Sequence, residues 1–414
     1  MVAISSINIV YIISFIDLFA VGLTFPLFST HLKSLGASHT FIGILMSIYS
    51  ALQVISGPLI GSWTDFRGRS FVLKSILLIC AICYGLLGLT TSYVIIVCLR
   101  IVLGCTKHIQ SICKAMITDL LPHDKHSAAF GKSAAVSSIG FIIGPLIGGH
   151  ISELQNGFFY VSLLTGILFI FNLVVVFYFG LDDKKNNQLR RHIQDINILQ
   201  QMKHDFIKSV SDLKKVGWHR QWEPFTLRLL FGLSTSTYFS NQSLLLKERY
   251  NLSQKHIGYI MSYFSIVGSC SAYFLNQINK LLGTRNSGTR LLIFFGLLSL
   301  CVVAIYVSSN FYVYLYVLIP FSMSCSVLRI VSMEVILDST DADHRGSLSG
   351  ASNSMMSISR FLTPLVTGIL GDFFGEESVI LVAIIPALFG VVLSLHLRKS
   401  IPLHVDDQKV HSSE

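Results

Sequence analysis

The chain is 414 residues long, 52% hydrophobic and only 13% charged, more apolar than a soluble core of that length requires, so its natural solvent is a lipid bilayer. The formal charge of +9 does not make it a nucleic-acid binder, because the basic residues gather in short loops between apolar runs. There is no phosphate-binding loop, metal-ligand spacing or nucleophile constellation, which argues against an enzyme or an ATP-driven pump and calls for no cofactor and no metal.

Apolar runs of about 20 residues, enough to cross roughly 30 Å of hydrocarbon as helix, recur along the whole sequence and predict about twelve spans, six per half. The halves are related. One constant offset lays Asp119 on Asp338, Asp124 on Asp343, Gly131 on Gly350, Pro145 on Pro364 and Gly149 on Gly368, and a slightly shorter one lays Phe41–Ser47 on His256–Ser262. The expected organisation is a six-helix bundle over 1–180, an amphipathic linker over 181–222, a second bundle over 223–400 and a short tail over 401–414. Among the residues outside the spans, only Lys33, Lys247, Arg249 and Lys255 are basic on one side. On the other lie Arg67, Arg69, Lys74, Lys125, Lys132, the basic residues of the linker, Lys280, Arg285, Arg290, Arg345, Arg398, Lys399 and Lys409. Basic loops stay cytoplasmic, which places both termini of this multi-pass chain there.

In chain order, the first span carries Asp17 near its middle. An ionised carboxylate at that depth costs about 2.5–3.5 kcal/mol or more, so it is expected to face protein or water. It reads either as a proton-titrating or substrate-pairing acid or as a structural carboxylate satisfied by a neighbouring helix. The second span runs into a tight basic loop, Gly61-Ser-Trp-Thr-Asp65-Phe-Arg-Gly68-Arg69. In the fourth, Arg100, Gly104, Lys107, Ser111, Lys114 and Thr118 recur at steps of four and three, one stripe of a continuous helix. Lys107 is the deepest of its charges, and the adjacent His108 has an ordinary pKa suited to proton transfer or else packs by a hydrogen bond. The fifth span holds Gly140-Phe-Ile-Ile-Gly144-Pro145-Leu-Ile-Gly148-Gly149, small residues at four-residue spacing that let two helices approach closely.

These stretches resemble the major facilitator superfamily, near its tetracycline-efflux branch of drug:proton antiporters. The loop matches the family signature between the second and third helices at Gly61, Asp65, Gly68 and Arg69, with Phe66 where a basic residue is usual. The resemblance implies a cytoplasmic latch made by Asp65, Arg69 and Asp119. Arg100 and Gly104 resemble the fourth-helix pattern of proton-coupled members, and Gly140, Gly144, Pro145, Gly148 and Gly149 match the antiporter motif at every position.

The second half carries the same signatures, eroded. Ser234, Tyr238 and Asn241 share a face of the seventh span that suits either a solute or an interhelical contact. Asn251-Leu-Ser253 is a glycosylation sequon on the non-cytoplasmic side. Arg329 and Glu334 point in different directions. Arg360 stands where the first half has Phe141, as a functional charge or as the partner of Glu334. All eight cysteines fall within spans, which argues against a disulfide framework.

The fold expected is an all-α membrane protein of two six-helix bundles. The function expected is secondary transport of a small organic solute, coupled to protons by alternating access, in a monomer whose other partner is the lipid bilayer. Asp17, Arg100, Lys107, His108, Arg329 and Arg360 are the candidate coupling residues. A transport-inactive receptor or membrane partner that keeps the scaffold is the alternative the sequence leaves open.

Overall fold

The computed structural model describes residues 6–179, 218–283, 286–338 and 345–400. The expected tail, the loop around Asp343 and the linker except 218–222 lie outside the described residues. Among the described residues there is no strand. The helices are α1 (Ser6–Ser34), α2 (His39–Arg67), α3 (Arg69–Leu89), α4 (Tyr93–Thr106), α5 (Ile109–Leu120), α6 (His126–Ser152), α7 (Gly157–Phe179), α8 (Trp218–Tyr250), α9 (Gln254–Tyr273), α10 (Leu275–Leu281), α11 (Ser287–Val307), α12 (Phe311–Asp338), α13 (Arg345–Phe374), α14 (Glu376–Val379) and α15 (Ile384–Ser400).

Nine spans among the described residues are long and apolar enough to cross a membrane, with α4 and α5 taken as one and α14 and α15 as one; α9 and α10, bent by 69° between them, supply a tenth. α8 and α13 have the length, at 33 and 30 residues, but are more polar. Several of their hydroxyls are nevertheless satisfied inside the protein: Thr235 and Thr237 donate to the carbonyls of Phe231 and Leu233, and Ser359 to those of Met355 and Leu229. Such back-bonding lets a polar helix sit away from water at little cost. Among the described residues, up to ten apolar candidates and these two long polar helices thus stand beside the approximate number of spans expected.

The chain forms two compact units. The first holds α1 to α7 together with Gln242–Ile266 and Pro364–Phe373. At its centre α1 packs along α6, and α3 along α7. Leu163, Ile167, Ile170, Val174 and Phe177 of α7 recur at steps of four and three and are exposed, whereas Val161, Thr165, Phe169, Asn172 and Val176 of the same helix are buried. An apolar stripe left outside on a helix whose polar residues are inside is the inverse of a water-facing helix, and marks the lipid face. Asn172 shows why its polar group goes inward: its amide donates to the carbonyl of Ile13 at 3.2 Å.

The second unit holds, of the described residues, 218–241, those of Val267–Thr363 and those from Phe374 onward. Its core includes the buried pair Tyr238 and Tyr314, whose hydroxyls are 2.6 Å apart. Ser234 donates to the carbonyl of Ala383 at 2.9 Å, and Asn241 to that of Thr237. Of the two uses open to this face, Ser234 and Tyr238 take the interhelical one.

Candidate functional site

Two buried charges of the first unit, Asp17 and Lys107, meet where α4 gives way to α5. Asp17 of α1 is 1% exposed, and its Oδ1 lies 2.8 Å from Lys107 Nζ. Gln110 Nε2 donates to Asp17 Oδ2 at 2.9 Å and to the carbonyl of Ser14 at 3.0 Å. Both carboxylate oxygens are therefore occupied. A buried ion pair of this kind persists because its geometry and extra hydrogen bonds offset the desolvation of two charges.

The expected continuous fourth helix is broken at this point. Lys107 adopts φ −74° and ψ 77°, and His108 N donates to Thr106 O at 2.8 Å, an inverse γ-turn. The turn takes the carbonyls of Gly104 and Lys107 out of the helical ladder, and a freed carbonyl inside a bilayer must find a donor. α2 supplies both donors. Ser56 Oγ donates to Gly104 O at 3.3 Å and lies 2.8 Å from His108 Nε2; Gln53 Nε2 donates to Lys107 O at 3.2 Å. Gly104 permits the approach, because a Cβ there would meet Tyr49 O at 3.1 Å. The break also sets the Lys107 ammonium at the negative end of α4, where a cation is favoured.

The break divides the expected stripe. Gly104 is buried, whereas Ser111, Lys114 and Thr118 are exposed. Arg100 sits with its guanidinium carbon 3.4 Å from the ring centroid of Phe28 and 5.4 Å from that of Tyr49, and its Nε has no hydrogen-bond partner. Aromatic faces thus take the place of an acid beside this cation. Asp17, Lys107 and His108 gather at the break, and Arg100 lies about two turns along α4 from Lys107.

Arg329 and Arg360 belong to the second unit, and both are exposed. Arg360 donates to Ser357 Oγ at 3.2 Å. Its expected alternative partner, Glu334, is taken instead by Arg290, at 2.7 Å. Arg290 was placed in a loop by sequence; it is buried in the first turn of α11, and a buried guanidinium requires an acid more than an exposed one does. Arg228 donates to the carbonyl of Arg329 at 2.7 Å and to Ser332 Oγ at 2.9 Å.

The basic loop assembles as a network. Arg69 Nε donates to Asp119 Oδ2 at 2.5 Å, its second arm lies 3.0 Å from Asp65 Oδ1 and its third donates to Thr64 Oγ1 at 3.0 Å. Gly68 makes the corner between α2 and α3 at φ 95°, a region that a side chain disfavours. Gly61 sits one turn before Asp65 in open space.

The glycine motif of α6 has two faces. Gly140, Gly144 and Gly148 lie on the main chain of α1: a Cβ on Gly140 would meet Phe15 O at 2.6 Å, and one on Gly144 would meet Phe19 O at 2.7 Å. The Pro145 carbonyl and Gly149 face α9 instead, while the Pro145 ring lies against Gly22 of α1. A Cβ on Gly258 would strike the carbonyl of Pro145, and one on Gly149 would lie 2.9 Å from Gln254 O. Ser262 of α9 completes this second contact by donating to Ile142 O at 2.6 Å.

Sequence reasoning missed Gln53, Ser56 and Gln110. The signal for the first two was available: Tyr49, Gln53 and Ser56 follow one another at steps of four and three on an otherwise apolar helix, a polar stripe that calls for a partner.

A family model of the Major Facilitator Superfamily matches residues 10–364 and, again, 287–410. Among curated proteins, the chain is 25% identical over 392 residues to the quinolone resistance protein NorA of Staphylococcus aureus, covering 94% of this chain and 95% of that protein. It is 29% identical over 174 residues to the class H tetracycline resistance protein of Pasteurella multocida, covering 41% of this chain and 44% of that protein. Among solved structures, a bacterial homologue of the human lysosomal transporter Spinster superposes with a TM-score of 0.76 at 12% identity, over 95% of this chain and 96% of that one. The human organic anion transporter MFSD10 superposes with a TM-score of 0.60 at 17% identity, over 95% and 100% respectively.

Proposed function

The chain belongs to the Major Facilitator Superfamily, and on that premise we propose that it is a secondary transporter that exchanges a small organic solute for protons by alternating access. The observation that carries this reading is the buried Asp17–Lys107 pair at a break in a membrane-spanning helix. Membrane helices are interrupted where unwound backbone and half-helix ends serve a ligand, and charges are kept at this depth for function more often than for stability. One carboxylate gives mutual exclusion. A proton on Asp17 releases Lys107, and so does a donor group of a solute that takes Asp17 for itself. Asp17 does not accept both at once. That competition is what exchange requires, and Lys107 holds the carboxylate in the interval between them.

Arg69, with Asp65 and Asp119, is proposed as the cytoplasmic latch, and the basic-loop asymmetry supports placing that end and both termini in the cytoplasm. The efflux relatives support drug-like organic solutes as first candidates, since two of the proteins similar to this chain are named for resistance to quinolones and tetracyclines.

The test is uptake of a tetracycline, a quinolone and a panel of organic cations and anions into proteoliposomes holding the purified chain, with and without a pH gradient. At least one solute is expected to accumulate several-fold above equilibrium when the gradient is imposed, and to relax when an ionophore removes it. Gradient-independent equilibration of that solute overturns the proton coupling. The absence of any protein-dependent flux across the panel favours the transport-inactive alternative.

A further inference from the structure

At the end of the first unit remote from the Arg69 loop, ~43 Å away along α2, the internal repeat builds one contact twice. Gly43 of α2 lies against the main chain of Pro364 and Gly368 in α13; Gly258 of α9 lies against that of Pro145 and Gly149 in α6. These are equivalent residues of the two halves, Gly43 with Gly258, Pro145 with Pro364 and Gly149 with Gly368.

The equivalence continues into a pair of carboxylates. Asp372, past Gly368, accepts from the amides of His39 and Thr40 at 2.8 and 2.9 Å. Its equivalent, Glu153, accepts from the amide of Lys255 at 3.4 Å. Hydrogen bonding from Ser253 holds the Glu153 carboxyl below the ordinary carboxylate range, so it is an anion at neutral pH. Each acid comes from one helix and seats on the first amides of another, which have no partner in their own helix and carry the positive end of its dipole. Ser38 accepts from Phe41 N at 3.1 Å and leaves the amides of His39 and Thr40 to Asp372. Both acids are exposed, which puts them within reach of water when the contact parts. Beside the first, His39 also meets Lys33 and, at 3.6 Å, Glu248; beside the second, His150 Nε2 lies 2.9 Å from the hydroxyl of Tyr259.

We propose that Asp372 and Glu153 are the two catches of a gate, one from each copy of the repeat, which let go together when the ends of α13 and α9 part from α2 and α6 to admit or release solute. The inference rests on the transport reading for its purpose but not for its test. Asp372, with two main-chain bonds, is the stronger catch. Glu153, with one longer one, is the weaker.

The experiment follows opening directly. Ser262, buried in the contact between α9 and α6, is replaced by cysteine on a background with the eight native cysteines removed, and maleimide labelling is timed in detergent micelles. Asp372→Asn is expected to speed labelling roughly three- to tenfold, as fits loss of a carboxylate from a helix N-terminus. Glu153→Gln should do so less, the double variant by about the product of the two, and Asp372→Glu should restore the slow rate. The readout lies at the second copy of the contact, so a merely local role for Asp372 leaves it unmoved. Unchanged labelling in the double variant overturns the proposal, as does an acceleration that Asp372→Glu fails to reverse. If Asp372→Asn does not fold, Glu153→Gln is read instead at the first copy through Thr40→Cys, whose hydroxyl donates to Gly368 O there: faster labelling supports the proposal and an unchanged rate overturns it. Faster labelling in a chain that carries no solute keeps the gate and removes the transport reading; transport with unchanged labelling does the reverse.

Discussion

Lys107→Met is expected to destabilise the protein by about 3–5 kcal/mol, because it leaves Asp17 charged and buried with only Gln110 to answer it. Asp17→Asn alone strands the ammonium in the same way. The double variant removes both charges, keeps a side chain at each position and leaves Gln110 a carbonyl to donate to. It is expected to recover most of the loss, since replacing a whole buried pair is often close to neutral. The check is chemical unfolding of the four proteins in mixed micelles, read as a double-mutant cycle. Strictly additive losses would mean that the two groups, 2.8 Å apart, are not energetically coupled.

The second large effect separates the two faces of the α6 motif. Gly144→Leu sets a side chain where Phe19 O would lie 2.7 Å from its Cβ and Gly22 Cα 2.8 Å from it. Neither neighbour is a side chain that can turn away, so α1 and α6 must separate along the contact at the centre of the first unit. A cost at or above about 3 kcal/mol, the upper end for overpacking, is expected, seen as loss of monodisperse protein on size exclusion. Gly149→Leu meets the main chain of α9 at a similar distance but lies outside the α1–α6 packing. It is expected to leave folded protein while loosening the contact with α9. Equal loss of protein in both variants would show that the motif acts as one packing surface.

Much of this was legible beforehand. The duplication, the polar interruptions of otherwise apolar runs and the spacing of glycines are one-dimensional signals. From them came the all-helical membrane fold and Asp17 and Lys107 as the deep charges; the grouping of Asp65, Arg69 and Asp119 came from the family resemblance of the loop. What escaped depends on three-dimensional closure. The break after Thr106 has no proline or glycine at the turn itself; it is held by Gln53 and Ser56 from another helix, and a periodicity argument presumes the helix continues. Arg290 was read as a loop charge because it follows Gly283, Thr284 and Arg285, yet Asn286 caps a new helix and draws it inside to Glu334. Asp372 and Glu153 share the offset of the repeat, so their equivalence was visible, but nothing in the sequence says that each seats on the amides of the other half's helix.

The claim at the centre of this account is that one carboxylate is shared by solute and proton. The measurement that meets it most directly is lumenal pH, followed with an entrapped dye in proteoliposomes, when a transported solute from the panel is added outside. The wild-type protein is expected to move protons against the solute, and Asp17→Asn, less stable but still monodisperse on size exclusion, to lose proton movement and solute flux together, each by at least about tenfold. Proton movement in Asp17→Asn equal to that of the wild-type protein would contradict it.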